Sequence, residues 1–374
     1  MSKARIAQAL LLAASLCLAR LSYGAPEPPE IKDDLSRESL LSALKQSRTF
    51  LDRLPDSRAL ASRPRKITAG EMKSSLYRLG ELLSSSAQPE KLAQAIRSRF
   101  DFVSPAPARD AEELLVTGYY LPFVDASLSE TPVYRYPVYR RPDDLVGVPP
   151  RITGEKIAGP YLSRREIDVL GGLKGKGYEI AWVKDPVDLF FLHIQGSGLI
   201  RLEDGRTLQL NYAANNGRPY TSIGKILLDE NKLAPEELSA ARLRRYLTEH
   251  PAEREALFVR NERYIFFRFV EGGPFGSLEV ALTPGRSVAA DAEYFPRGAP
   301  AFLQTRLPIV DGAGNLAGWR PVSRFVVAQD SGAAIRGPGR LDLYFGSGQE
   351  AEQSAGFMKT SGRVYILLER KTRP

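Results

Sequence analysis

FVVAQDSGAAIRGPGRLDLYFGSG, residues Phe325 to Gly348, sets two strand-like runs around a glycine-containing loop, and the architecture of the chain follows from it. The apolar run Phe325–Ala328 has strand character and leads into Asp330, after which small residues and glycine open the backbone. A carboxylate is thereby set at a strand end beside a loop. Leu341-Asp342-Leu343-Tyr344-Phe345 reads as a second strand that returns Asp342 towards the same end of a sheet. Upstream, Ser287-Val288-Ala289-Ala290-Asp291 closes another short strand-like run on an acid. Each aspartate alone reads as a turn former that bonds its own backbone. Three strand ends each bearing an acid read instead as a candidate acid site.

Three further stretches, all upstream, extend the pattern set by Ala289–Asp291, the aspartate loop Asp330–Gly337 and Leu341–Phe345. They are Thr117-Gly118-Tyr119-Tyr120-Leu121-Pro122, Leu192-His193-Ile194-Gln195-Gly196-Ser197-Gly198 and Asn216-Gly217-Arg218-Pro219-Tyr220-Thr221-Ser222-Ile223-Gly224-Lys225. In this order, between about Leu114 and Leu368, the chain resembles the membrane-bound lytic murein transglycosylase A family with its C-terminal three-aspartate domain. Where that family usually has two glycines early in the aspartate loop, this chain has Gly332-Ala333.

The resemblance implies a mainly β fold with peripheral helices. A double-psi β-barrel domain, from 105–122 and 278–370, would carry a second β-rich, barrel-like domain, 123–277, inserted in it, with a groove between the two. It implies no cofactor and peptidoglycan glycan strands as the partner. It also implies periplasmic location with peripheral association to the outer membrane.

Length and composition fit that organisation. The 374 residues exceed what one core commonly holds, about 250–300, and the 43% hydrophobic and 26% charged content is that of a globular protein. The formal charge of +8 is spread along the chain without a basic block, which disfavours nucleic acid as a partner. Lys3 and Arg5 precede the apolar run Ala7–Leu18, and Ser22-Tyr23-Gly24 supplies small residues before Ala25, so residues 1–24 read as a signal peptide. Without it the net charge is about +5. The one cysteine, Cys17, follows Leu16 where lipidation signals prefer a small residue, so cleavage after Gly24 is the expectation.

Residues 25–104 read as a tether followed by helices that pack on the catalytic domain. Leu40, Leu44 and Leu51 share one helical face with Asp34 or Ser36 as cap, Met72 to Leu83 form a second, and a third opens at Pro89. Strands are expected at Leu114–Tyr120, Pro132–Tyr139, Tyr178–Val183, Val187–Ile194, Leu199–Leu202 and Thr207–Tyr212. Gly196-Ser197-Gly198 and Glu203-Asp204-Gly205 read as tight turns that join the last three of these into a meander. Helices follow at Ser222–Leu228, Pro235–Leu247 and Pro251–Phe258. Strands follow at Ile265–Val270, 278–290, 301–309, 324–329, 341–345 and 363–369.

With two histidines, His193 and His250, and no cysteine after Cys17, no multi-His or Cys metal site is expected. Both histidines read as structural. No Gly-x-Ser-x-Gly or P-loop occurs, which leaves carboxylate chemistry. Cleaving a glycosidic bond requires an acid for the leaving oxygen, and a hydrolase adds a second carboxylate. By resemblance, Asp330 matches the family's catalytic acid/base, Asp291 and Asp342 are supporting acids, and the product is a 1,6-anhydro-MurNAc end formed without water. Tyr120, Gln195, Gly196 and Ser197 are the candidates for lining the groove, although Gly-Ser-Gly also reads as a turn and Tyr120 as core. A β-1,4-glycan hydrolase and a non-catalytic, expansin-like wall-binding protein stay open as alternatives.

Overall fold

The computed structural model describes residues 29–63, 65–85, 88–105, 113–145, 160–234 and 239–371. The signal segment and Cys17 lie outside them, as does the start of the helix expected at Pro235. Among the described residues no helix is long and apolar enough to cross a membrane.

The N-terminal helices form where the apolar spacing puts them. Helix α1 (Arg37–Leu51) is capped by Ser36, whose hydroxyl accepts from Ser39 N–H at 3.3 Å. A short hairpin of β1 (Ala59–Ala61) and β2 (Ile67–Thr68) precedes α2 (Ala69–Ser85), and α3 (Pro89–Arg99) starts on its proline. Their buried faces merge into one core with the strands that follow, Leu40, Met72 and Ile96 being fully buried beside Phe302 and Val326. A buried arginine fastens the join. Arg286 is 0% exposed, and its guanidinium donates to both oxygens of Asp33 (2.8 and 2.9 Å) and to Phe325 O (2.8 Å).

Strand β3 (Phe100–Val103) leads to β4 (Leu114–Leu121), after which the chain leaves for about 150 residues. The excursion builds its own six-stranded sheet. Its strands are β5 (Phe123–Ser127), β6 (Tyr136–Tyr139), β7 (Glu179–Val183), β8 (Ser197–Leu202), β9 (Thr207–Asn215) and β10 (Ile265–Val270), in the order β10-β9-β8-β5-β7-β6. A bridge from Arg140, just past β6, to Phe267 on β10 brings the two edges together, so the sheet curls into a near-barrel. Its core is Val124, Val138, Leu192, Ile200 and Phe267. Helices α4 (Pro186–Gln195), α5 (Ile223–Asp229), α6 (Ala240–Glu249) and α7 (Pro251–Arg260) cluster beside it through Phe190, Leu227, Leu247 and Phe258.

The chain then returns. Strands β11 (Ser287–Ala289), β12 (Pro300–Val310), β13 (Leu316–Asp330), β14 (Arg340–Ser347) and β15 (Lys359–Glu369) join β4 in the order β12-β13-β11-β14-β4-β15, and β15 pairs again with β12. Six strands thus close a barrel, with β3 added outside β15. Two of the joints are parallel, β11 with β13 and β14 with β4. The β12–β13 hairpin is set by Asp311, whose carboxylate accepts from Ala313 N–H and Asn315 N–H (2.9 and 2.8 Å). Helix α8 (Gln349–Phe357) covers one end of β4 and β14.

Three sequence readings need correction. Val187–Ile194 is helix and not strand. Asp185 caps it and Pro186 opens it, and the segment is apolar all round because it is buried between the near-barrel and the helical cluster. Gly196-Ser197-Gly198 is accordingly no hairpin turn: Gly196 ends α4 in the left-handed region (φ 75°), and Ser197 begins β8. Glu203-Asp204-Gly205 does turn β8 into β9. Within 278–290 only Ser287–Ala289 is strand, since the preceding residues are held by turn bonds such as Glu279 N–H to Gly276 O and Arg286 N–H to Thr283 O.

Candidate active site

Register places the acids. On β11, Ala289 lies opposite Asp330 of β13 on one side and opposite Asp342 of β14 on the other, and Asp342 in turn lies opposite Thr117 of β4. Four neighbouring strands therefore present Asp330, Ala289, Asp342 and Thr117 in one row. Both aspartates line one cavity of about 240 Å³.

The Asp330 carboxylate is held from the main chain. Its Oδ1 accepts from Ser277 N–H and from Ser331 N–H, each at 2.8 Å. The Ser277 loop comes this close because Gly276 has no side chain: a Cβ there would sit 2.5 Å from Gln329 O. Two N–H donors occupy the lone pairs of Oδ1. Asp342 is held by side chains. Thr117 Oγ1 donates to its Oδ1, and Arg340 Nε lies 3.6 Å away. Burial pushes the Asp342 carboxyl up to about 6 against the opposing Arg340 charge, and the negative charge of Asp330 adds to the rise.

Tyr119, two residues along β4 from Thr117, faces the same cavity. Burial, then the charge of Asp330, keeps its phenol protonated well beyond the ordinary tyrosine range. Its ring packs on Tyr344 with 5.2 Å between centroids. This residue was not singled out from the sequence, although it stands beside Tyr120 in the same motif. Tyr120 itself points the other way. It is buried, donates its hydroxyl to Glu352 Oε1 at 2.7 Å and packs on Ala351 and Ala355 of α8, so it does not line the cavity.

Asp291 is also apart from the cavity. Its carboxylate accepts from Glu293 N–H (3.0 Å) and from Gly337 N–H (2.8 Å), pinning the far end of the aspartate loop. In that loop, Ala333 is exposed and does not need positive φ, which among described non-glycine residues occurs at Asn231 and Glu279. Alanine there adds no backbone strain.

The facing wall comes from the near-barrel: His193, Gln195, Gly196, Tyr220 and Arg263 line the same cavity, and Ser197 does not. The αL cap at Gly196 turns the end of α4 into the cavity, its N–H bonded to Leu192 O at 2.8 Å. Behind this wall Arg164, 1% exposed, donates to Asn261 O (2.9 Å) and Arg263 O (2.8 Å) and faces His193 Nδ1 at 3.0 Å. Arginine can only donate, so His193 Nδ1 accepts and the ring is the Nε2–H tautomer. Burial, with Arg164 beside it, holds the imidazole well below the usual histidine range and so neutral. His250 lies elsewhere, at the junction of α6 and α7, with Nδ1 2.9 Å from Tyr246 O.

The closed six-stranded barrel, the second sheet beside it and the pair of carboxylates in the cavity define a two-sheet class of β protein with an acid-lined cleft. Comparison gives the family. Residues 115–268 match the model described as the MltA specific insert domain, and residues 286–368 match the 3D domain. Over 261 residues the chain is 35% identical to membrane-bound lytic murein transglycosylase A of Escherichia coli K12, and over 257 residues 31% identical to that of Vibrio cholerae. These matches span 66% and 65% of the two relatives, a little under two thirds of their length, and 69% and 68% of this chain. Among solved structures, the membrane-bound lytic murein transglycosylase of Agrobacterium tumefaciens superposes with a TM-score of 0.74 at 33% identity, covering 90% of this chain and 94% of that one. Escherichia coli MltA with bound chitohexaose gives 0.72 at 27% identity, with 93% of each chain covered. The chain belongs to the membrane-bound lytic murein transglycosylase A family.

Proposed function

We propose that this chain is a lytic murein transglycosylase that cleaves the β-1,4 bond between MurNAc and GlcNAc, with Asp330 as its acid and base. The observation that carries the reading is the position of Asp330 in the cavity between the two walls, with one carboxylate oxygen fixed by two main-chain donors. The proton on Oδ2 passes to the glycosidic oxygen as the C1–O bond breaks. The carboxylate then takes the proton of the same sugar's C6 hydroxyl, whose oxygen bonds to C1. The proton count closes on Asp330, no water enters, and the product is a 1,6-anhydro end. Asp342 is occupied by Thr117 and Arg340, a poor arrangement for activating a water. On this reading it supports the site, and Asp291 holds the loop. Gln195 and Gly196 bear on the sugar.

The names of the Escherichia coli and Agrobacterium relatives agree with this activity, and the chitohexaose bound in one relative is a β-1,4 glycan. The proposal includes the division of the chain into a barrel domain, 105–122 and 278–370, around an insert at 123–277. It also includes a cleaved signal at 1–24 and action on peptidoglycan in the periplasm, at the outer membrane. Mass spectrometry of fragments released from purified murein is the test. Anhydro-muropeptides are expected. Products one water heavier, with reducing MurNAc ends, would make the protein a hydrolase, and binding without release would make it a wall-binding module.

A further inference from the structure

A second cavity, of about 450 Å³, opens in the insert on the other side of Arg164. It shares a wall with the catalytic cavity. Arg164 lines the second cavity, while His193 and Arg263, which it holds through Nδ1 and the main-chain oxygen, line the first. The second cavity is aromatic at its side, where Tyr136 of β6 and Trp182 of β7 both line it, one register step apart on adjacent strands. Its rim carries charges of both signs, Arg135, Lys174 and Arg254 against Glu130, Glu179 and Glu255. None of these six is ion-paired among the described residues, although most charged residues around the insert are, as with Lys184 and Arg201 on Asp125.

We propose that this cavity receives the peptide stem of a murein strand lying in the cleft, an inference that rests on the function proposed above. The chemistry of the lining selects the ligand. A bare saccharide has no charge to meet three unpaired cations and three unpaired acids, and a polyanion would be repelled by the acids. A stem peptide brings carboxylates for the arginines and lysine and an amine for the glutamates. Its methyl side groups suit the aromatic side. A branch that leaves a sugar in the cleft has only the Arg164–His193 wall between it and this cavity.

The chain has two tryptophans, Trp182 and Trp319, so the full chain with Trp319→Phe has Trp182 as its sole indole reporter. Titration with a free murein stem tetrapeptide is expected to change Trp182 fluorescence saturably. Arg254→Glu on α7 and Lys174→Glu in the loop before β7 lie on separate elements. Each is expected to weaken binding ~10-fold or more, the scale of one charge-assisted hydrogen bond. Asp330→Asn is expected to leave peptide binding unchanged. Cleavage of peptide-bearing murein by the two charge variants is expected to show a raised KM, with cleavage of peptide-free strands unaltered. Absence of a saturable signal, or binding indifferent to both variants, overturns the proposal, as does a Trp182 signal given by chitohexaose in place of the peptide. Failure of the reaction is read separately: if murein is not cleaved but the peptide binds, the catalytic reading falls and the cavity's assignment to a stem peptide stands.

Discussion

The two walls of the cleft are made in different ways. On the barrel side, hydrogen-bonded strand ends fix the acids, with Asp330 and Asp342 both in register with Ala289. On the insert side no carboxylate among the described residues lines the cavity. That wall consists of a helix cap at Gly196, an adjoining loop and the buried Arg164 behind them. The contrast divides the labour. In the mechanism proposed here, proton transfer sits where the backbone is held on both sides, and positioning sits on segments that depend on one buried cation and one glycine.

Four substitutions test that division. The largest effect is expected from Asp330→Asn, which keeps shape and loses the proton. Release of soluble fragments from murein should fall by at least ~10²–10⁴-fold while co-sedimentation with murein persists. Near-normal release would remove the barrel wall's claim to the chemistry. Next, Arg164→Leu leaves Asp168, His193 Nδ1 and the main-chain oxygens of residues 261 and 263 without their donor. It should cost about 3–5 kcal/mol in urea unfolding, and a loss below about 1 kcal/mol would show that the insert wall stands without it.

Asp342→Asn gives a pH signature. The folded carboxyl titrates at about 6 against an ordinary 3.8, so the native state holds its proton longer than the unfolded chain does. The wild type therefore loses stability as pH rises through that window, by about 3 kcal/mol at most. In the variant, the difference in unfolding free energy between pH 4 and pH 8 should shrink by up to that amount. An unchanged difference would place the titration elsewhere. The smallest effect belongs to Gly196→Ala, which forces an L-residue to φ 75° at a cost of about 1 kcal/mol. Because it disturbs only the positioning wall, KM should rise with kcat retained.

The same contrast governs what the sequence reveals. The barrel wall is legible because local signals mark it: an apolar run ending on an acid before small residues puts Asp330 at the end of β13, and the strand pattern of 341–345 puts Asp342 near the start of β14. The insert wall is not. Val187–Ile194 is too uniformly apolar for its period to distinguish helix from strand, and only Asp185-Pro186 before it marks a helix start. Arg164 looks like any surface arginine, since its partners are main-chain oxygens nearly a hundred residues away. Tyr119 and Tyr120 are equivalent to a strand pattern until pairing with β14 fixes which of them shares a face with Thr117. Helix α8, short and polar, carries no stripe for a period to report.

The pairing of β4 with β14 also sets a clock. Thr117 and Asp342 are 225 residues apart in the chain, and β15, which flanks β4 on its other edge, is made later still. On the export route proposed above, β4 enters the folding compartment ahead of its first barrel partner. The insert can pair its own strands during that wait, because every partner of β8 is either β5 or β9. The barrel cannot, and the interval when β4 has two bare edges is when one copy of this chain is most open to borrowing a strand from another.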